Sequence, residues 1–516
     1  MNRYRRREFL AQVGRGMLVA GVGSSVALEL GLAEPVMAGE GGAGLTFGPI
    51  EPLVDLMAQT PIDQFLKIVV KKLNEGIELR ELVSAAALAN ARAFGGQDYD
   101  GYHAIMALAP ALQMARELPE PRRALPVLKV LYRNTDHIQK SGGGSRATLH
   151  AIELDSASAE SRPDALALRA AIRGQNMDEA ERTFAAIARG PLQDAFNELQ
   201  YAVQDHVNVH RVVLAWRSWA LLDITGKEYA HTLLRQSVRY CVDEEKGIRR
   251  NGGDDPLRSI LPRLLDRKGV LSGAAGVRNP DDAWIDRMIH TIYASTREQA
   301  AEAVADALAD GISHEAIGEA ISLAANQLVL HDPGRSRADS PAKPKGSVHG
   351  ASVGVHASDA SNAWRNISRV SDRRNSVASL IVGAYHTAGQ AEGQNPQPYP
   401  FAEHRESVVG LNPESLLREA EIAIKANEQT RACAIIHRYG ELDLPARPAF
   451  DLMLRYAISE DGALHAEKYY RTVVEEFATT RPAYKWRHLA ALARVTASEH
   501  GFPAPGIDEA TRLLKV

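Results

Sequence analysis

Residues 79–89 read Leu-Arg-Glu-Leu-Val-Ser-Ala-Ala-Ala-Leu-Ala. Leu79, Leu82, Val83 and Ala86 fall three and four apart, which is the period of one face of an α-helix. Val213, Trp216 and Ala220 repeat the pattern further on, in a chain dominated by Ala and Leu and with only 6% aromatic residues. No run of alternating Val, Ile or Thr is bounded by hairpin turns, so the expected fold is all-α.

The same stretch has a counterpart downstream. Glu75-Gly76-Ile77, preceded by Val69, Val70 and Leu73, matches Asp310-Gly311-Ile312, preceded by Val304, Ala305 and Leu308; Leu88-Ala89 then falls on Leu323-Ala324. Gly101-Tyr102-His103-Ala104 is paired with Ser347-Val348-His349-Gly350, Val130-Leu131-Tyr132 with Gly383-Ala384-Tyr385, Val209-His210 with Leu464-His465, and Tyr229 with Tyr484. The offset between partners only grows, and it grows across polar stretches, as in a duplicated unit that has gained loop insertions. Two similar helical halves are expected, 39–245 and 283–516, joined by a linker over 246–282 and packed as a helical bundle or an α-α superhelix. Other Gly-, Pro- or Ser-rich breaks, at 141–163, 333–346 and 390–413, read as loops.

The first residues, Met1 to Ala11, contain Arg6-Arg7, a spacer at Glu8, and Phe9-Leu10. This order resembles a twin-arginine export signal. A moderately apolar stretch, Met17–Leu32, is too short and polar to span a membrane, and Val36-Met37-Ala38 offers a cleavage site. Segment 1–38 is expected to address the folded protein to the Tat machinery and a periplasmic or extracellular location. Its removal takes away five Arg and three acidic residues, which moves the net charge from −4 to −6. The remaining 478 residues carry no basic stripe for nucleic acid and no second apolar run for a permanent membrane anchor. Cys241 and Cys433 allow at most one bridge after export, with buried free thiols the alternative.

Histidine is the residue type that the repeat singles out, as His103 with His349 and His210 with His465. Imidazole serves both as metal ligand and as proton-transfer group. His206 and His210 are four apart, and His349 and His356 seven apart, spacings that put each pair on one face of a helix. The metal candidates are therefore His206, His210, His356 and His465, with a transition metal such as iron as the implied cofactor. Asp205, Asp223, Asp332 and Asp359 are carboxylates near enough in sequence to add a ligand, and His231 and His386 are lesser candidates. Val207 stands where a zincin would need Glu, which disfavours a metalloprotease. Trp216-Arg217 and Trp364-Arg365 suggest Arg stacked on Trp, binding an anionic or planar substrate. There is no Walker A loop, GxGxxG, GxSxG elbow or CxxCH.

The segment Asp98–Pro119, in which His103 opens the apolar helix Ala104-Ile-Met-Ala-Leu-Ala-Pro-Ala-Leu, resembles helices of the questin oxidase-like proteins. Ser347–Arg365, with His349 and His356, shares the resemblance. It implies a helical protein performing oxygen-dependent Baeyer-Villiger chemistry without a classical flavin, with a role for His103 and His349. The functional expectation is an exported oxidoreductase acting on a small molecule in a pocket lined by His103, His210, His349 and His465, with His103 and His349 catalytic. The competing expectation is a non-catalytic helical-repeat scaffold of the cell envelope.

Overall fold

A computed structural model describes residues 45–516 apart from 142–148, 153, 155–162, 251–252, 268, 272–275 and 342. The twin-arginine segment lies outside the described residues. Within them the chain is all-α, and its β pairing amounts to isolated bridges.

Before residue 251 the helices are α1 (Glu51–Gln59), α2 (Ile62–Asn74), α3 (Leu79–Phe94), α4 (Tyr99–Arg116), α5 (Ala124–Ser141), α6 (Ala165–Arg173), α7 (Met177–Ile187), α8 (Leu192–Val203), α9 (Val209–Thr225) and α10 (Ala230–Arg250). After it come α11 (Leu257–Leu265), α12 (Asp282–Ala294), α13 (Arg297–Ala309), α14 (His314–Leu330), α15 (Val353–Val370), α16 (Arg373–Thr387), α17 (Ala402–Glu406), α18 (Leu416–Lys425), α19 (Gln429–Glu441), α20 (Ala446–Ser459), α21 (His465–Thr479), α22 (Trp486–Glu499) and α23 (Ile507–Leu514). The expected linker at 246–282 is thus not structureless. It holds the end of α10 and all of α11, whose Arg258 Nη2 donates to both Glu245 carboxylate oxygens at 2.6 Å.

The opening stretch forms α3 as its period requires. Glu78 and Glu81 make a reciprocal capping box at its start, and Gly95, at φ +56°, ends it in the left-handed conformation. Leu82, Val83 and Leu88 are buried. Most of the core is one continuous cluster running through both parts of the chain, with a small second cluster at Ala325, Leu328 and Ala357.

Four helices hold that core together. α4 packs on α9, α9 on α15, α15 on α21, and α21 back on α4, which closes a ring. Two glycines let neighbouring helices pack closely on members of this ring. A Cβ on Gly101, in the first turn of α4, would lie 2.6 Å from Phe94 Cγ on α3; one on Gly354, in the first turn of α15, would lie 2.5 Å from the backbone nitrogen of Val329 on α14. The Val329 contact is with backbone and cannot move aside cheaply.

Among the described residues no helix is long and apolar enough to cross a membrane. Cys241 and Cys433 are both buried and free, so the bridge allowed by the sequence is not formed; burial pushes each thiol up to about 12.

Gly354→Ala is expected to lower unfolding free energy by about 1–3 kcal/mol, the usual cost of overpacking. Gly247→Ala, in α10 with open space around the glycine, should instead be neutral or stabilising by up to about 1 kcal/mol. Urea denaturation at pH 7.5 measures both, and equal effects would contradict the packing described.

Candidate functional site: a ring of four histidines

The helices of the four-membered ring bring their N-terminal ends to one corner, and each carries a histidine within its first five residues. His103 is on α4, His210 on α9, His356 on α15 and His465 on α21. Three of the starts are capped by side chains. Asp98 accepts from Gly101 N at 3.0 Å, Asn208 from His210 N at 2.8 Å, and Ser352 from Val355 N at 3.4 Å.

The imidazoles touch around a closed circuit. Ring centroids are 4.8 Å apart for His103 and His210, 5.6 Å for His210 and His356, 5.3 Å for His356 and His465, and 5.0 Å for His465 and His103. His103 and His465 are buried, whereas His210 and His356 are half-buried. Nε2 of His356 lies 3.2 Å from Nε2 of His465. His103 Nδ1 sits 2.6 Å from the Tyr99 carbonyl, which fixes that nitrogen as the N–H donor and leaves Nε2 as a lone pair. Nε2 of His103 and of His210 are buried without any hydrogen-bond partner. Tyr99, 53% exposed, and half-buried Tyr102 stack against these two rings and form the rim.

Burial is the largest influence on every one of these imidazoles. It pushes His103 down to about 2, His210 to about 3, His356 to about 4 and His465 well below the usual histidine range, with Lys468 adding to the effect each time. The positive ends of the four helices act in the same direction. At neutral pH the ring is uncharged, so each imidazole keeps one nitrogen as a lone pair, and in His103 that nitrogen is Nε2.

Lys468 is itself fully buried, and burial lowers its ammonium to about 8 against the opposing pull of Asp359 and Glu467. Asp359 accepts from Thr472 Oγ1 at 2.8 Å and is raised by its own burial. Neither Lys468 nor the tyrosine rim was expected from the sequence. The available signal was spacing: Lys468 follows His465 by three residues and Asp359 follows His356 by three, one helical turn along the same face.

Three of the ring histidines, His210, His356 and His465, are expected metal candidates, and His103 is an expected catalytic residue. His349 is not brought in. It lies exposed in the loop before α15, where its Nδ1 accepts from Ala351 N at 2.8 Å. Because α15 starts only at Val353, His349 and His356 share no helical face.

His206 is also outside the ring. Asn208 caps a new helix between it and His210, so the spacing of four does not chelate; His206 Nδ1 instead pairs with Asp255 Oδ2 at 2.5 Å. The Trp-Arg steps lie away from the four rings' contacts. Trp364 and Arg365 are buried, Arg365 pairing with Glu476 at 2.6 Å and Glu315 at 3.1 Å, and Trp364 Nε1 donates to buried His386 Nδ1 at 3.2 Å. Arg217 is buried with its Nε unpartnered, and Trp216 beside it is half-buried with Nε1 unpartnered.

Of the other carboxylates, Asp205 is held by Arg173 at 2.6 and 2.7 Å, Asp332 caps Gly334 N at 2.7 Å, and Asp223 is exposed. His231 is half-buried with Nε2 unpartnered, stacked on Phe184 away from the ring. Among the described residues no group of three or more His, Cys, Asp or Glu has its donor atoms gathered tightly enough to hold a metal ion as the side chains stand. The ring nitrogens would have to turn inward by rotation about their side-chain bonds.

No family model, curated protein or solved structure matches this chain.

An imidazole whose folded value lies below its unfolded value of about 6.5 stabilises the fold above that pH and withdraws the stability as pH falls towards the folded value. The metal-free protein should therefore lose stability between pH 6.5 and 4. In His103→Gln or His465→Gln the loss between pH 7.5 and 5 should shrink by about 1–2 kcal/mol. Urea unfolding across that range checks this, and an unchanged pH slope in both variants would refute the uncharged ring.

Proposed function

We propose that His103, His210, His356 and His465 together bind one divalent transition-metal ion, iron foremost, and that the protein uses it with dioxygen to oxidise a small molecule. The observation that carries this reading is the unsatisfied buried nitrogen on two touching imidazoles, beside a third and fourth whose Nε2 atoms are 3.2 Å apart. Leaving a buried acceptor unpaired costs about 1–3 kcal/mol, so such groups call for a water or an ion. Two nitrogens on one tetrahedral ion at about 2.0–2.1 Å stand close to that 3.2 Å separation. Uncharged imidazole suits iron, zinc, copper and nickel better than magnesium or calcium.

In this reading the four side chains bind and orient the ion without having to lose protons at neutral pH. Tyr99 and Tyr102 shield His103 and His210 from water. Lys468, Asp359 and Glu467 set the charge beneath the ring. Bound iron would supply the redox chemistry. Oxygen-dependent chemistry is also what the resemblance to questin oxidase-like proteins implies.

The ring further supports reading the chain as a duplicated unit. Gly101-Tyr102-His103 and Gly354-Val355-His356 both place a close-packed glycine two residues before a ring histidine, at an offset of 253 residues, the offset that also pairs Tyr132 with Tyr385. His356, and not His349, is then the counterpart of His103. His210 and His465 are paired as expected, and each half contributes two ligands. The twin-arginine signal fits this reading, because its pathway carries folded cargo and so allows a metal to be inserted before export.

Anaerobic loading with Fe(II), desalting and metal analysis should give about one equivalent per chain, falling below about a tenth in His103→Ala or His465→Ala while His206→Ala and His349→Ala keep it. Far-ultraviolet circular dichroism confirms that each variant is folded. Less than about a tenth of an equivalent in the parent protein, or full occupancy in both ring variants, would sink the metal reading and favour the scaffold expectation.

A further inference from the structure

The four ring helices continue beyond the histidines, and their next turns carry charge. Arg217 follows His210 by seven residues on α9, and Asp359 follows His356 by three on α15. Lys468 and Thr472 follow His465 by three and seven on α21. These spacings keep each residue on the face of its histidine. The 2.8 Å bond from Thr472 Oγ1 to Asp359 Oδ1 joins two of the faces. On α4 the corresponding positions are Ala107 and Pro110, both buried and without charge.

Arg217 is 4% exposed and Lys468 3%. Among the described residues neither makes a hydrogen bond or a contact ion pair, and Arg217 Nε is buried unpartnered. The carboxylates around them are engaged by other groups. Glu467 pairs with Lys129, and Glu475 is held by Arg471 at 2.7 Å, Asn362 at 3.0 Å and Asn366 at 3.1 Å. Burial works against the charge of Arg217, while Glu475 and Asp359 pull the other way from beyond contact. A lysine in such a place can give up its proton, but a guanidinium cannot. A buried charge without a partner is strongly destabilising, so Arg217 calls for a counter-ion.

We infer that one small monovalent anion of the chloride class sits inside the four-helix ring, between Arg217 and Lys468. Enclosure by four helices restricts the occupant to an ion of about the size of a water, which excludes a phosphate or an organic acid. Arg217 thereby receives a small ion in place of the anionic or planar substrate expected of it. The anion offsets Lys468, the cation that opposes charge on all four imidazoles, yet its own binding needs no metal.

Crystals grown with bromide in place of chloride test the parent protein directly. The anomalous map at the bromine edge should show one peak in contact with both Arg217 and Lys468. Peaks on exposed arginines, which mean an adventitious ion only, or a water in that position would overturn the inference.

Urea unfolding of the full metal-free protein, with chloride exchanged for gluconate at fixed ionic strength, is the test in solution. One ion bound to the native state alone makes the unfolding constant fall about tenfold for each tenfold rise in chloride above its dissociation constant. The parent should show that dependence, and Arg217→Met only the background response to the salt. In gluconate Arg217→Met should unfold no more readily than the parent, because it removes a charge that nothing there balances. The same chloride dependence in both proteins, or a variant destabilised equally in both salts, would contradict the assignment. If the variant does not fold, the bromide map decides alone. Iron enters neither measurement, so a chain that binds halide but no iron sinks the metal reading and keeps this one.

Discussion

Four imidazoles can pack with each ring centroid within 6 Å of the next in a largely buried corner only while they stay uncharged, and this constraint shapes the molecule around them. Each ring histidine stands at the positive end of a helix, with the Lys468 ammonium behind it, so protonation is opposed three times over: by burial, by helix ends and by a neighbouring charge. What such a corner offers is a set of lone pairs at neutral pH. A water-filled site with the same residues would hold protons and lose much of that capacity as the pH drops below 6.5.

Keeping the corner closed requires helices from distant parts of the chain to be pinned together. Lys129 of α5 and Glu467 of α21 form an ion pair at 2.5 Å with both side chains fully buried, and Lys129 also donates to the Ala457 and Glu460 carbonyls at 2.8 and 2.5 Å. Removing one partner of such a pair strands the other charge, which costs about 3–5 kcal/mol. Arg365 with Glu476 does the same between α15 and α21. These buried pairs tie α5 and α15 to α21, while Gly101 and Gly354 let α3 and α14 pack closely against α4 and α15.

The helical period made the all-α class legible from α3 outward, and His210 and His465, singled out on the sequence, both stand in the ring. What the sequence hid was mostly a matter of where helices start. His349 was singled out with His103, but Ser352 caps α15, which leaves His349 in a loop and puts His356 in the first turn. Asn208 likewise breaks the frame between His206 and His210. Short polar caps decide both cases, and they compete with a periodicity count that ignores them. Lys468 was hidden for another reason. A charged residue on an amphipathic helix reads as solvated unless the opposite face is known to be covered too, and here α21 and α15 are enclosed on most sides.

The most direct test is the anomalous-difference map from a crystal of the protein loaded with Zn(II), a redox-silent stand-in for iron. The account predicts one strong peak about 2.1 Å from Nε2 of His103, His210, His356 and His465, with the two lone-pair nitrogens turned inward. A peak on His206 and Asp255 instead, or an empty ring in a crystal that holds zinc elsewhere, would contradict it.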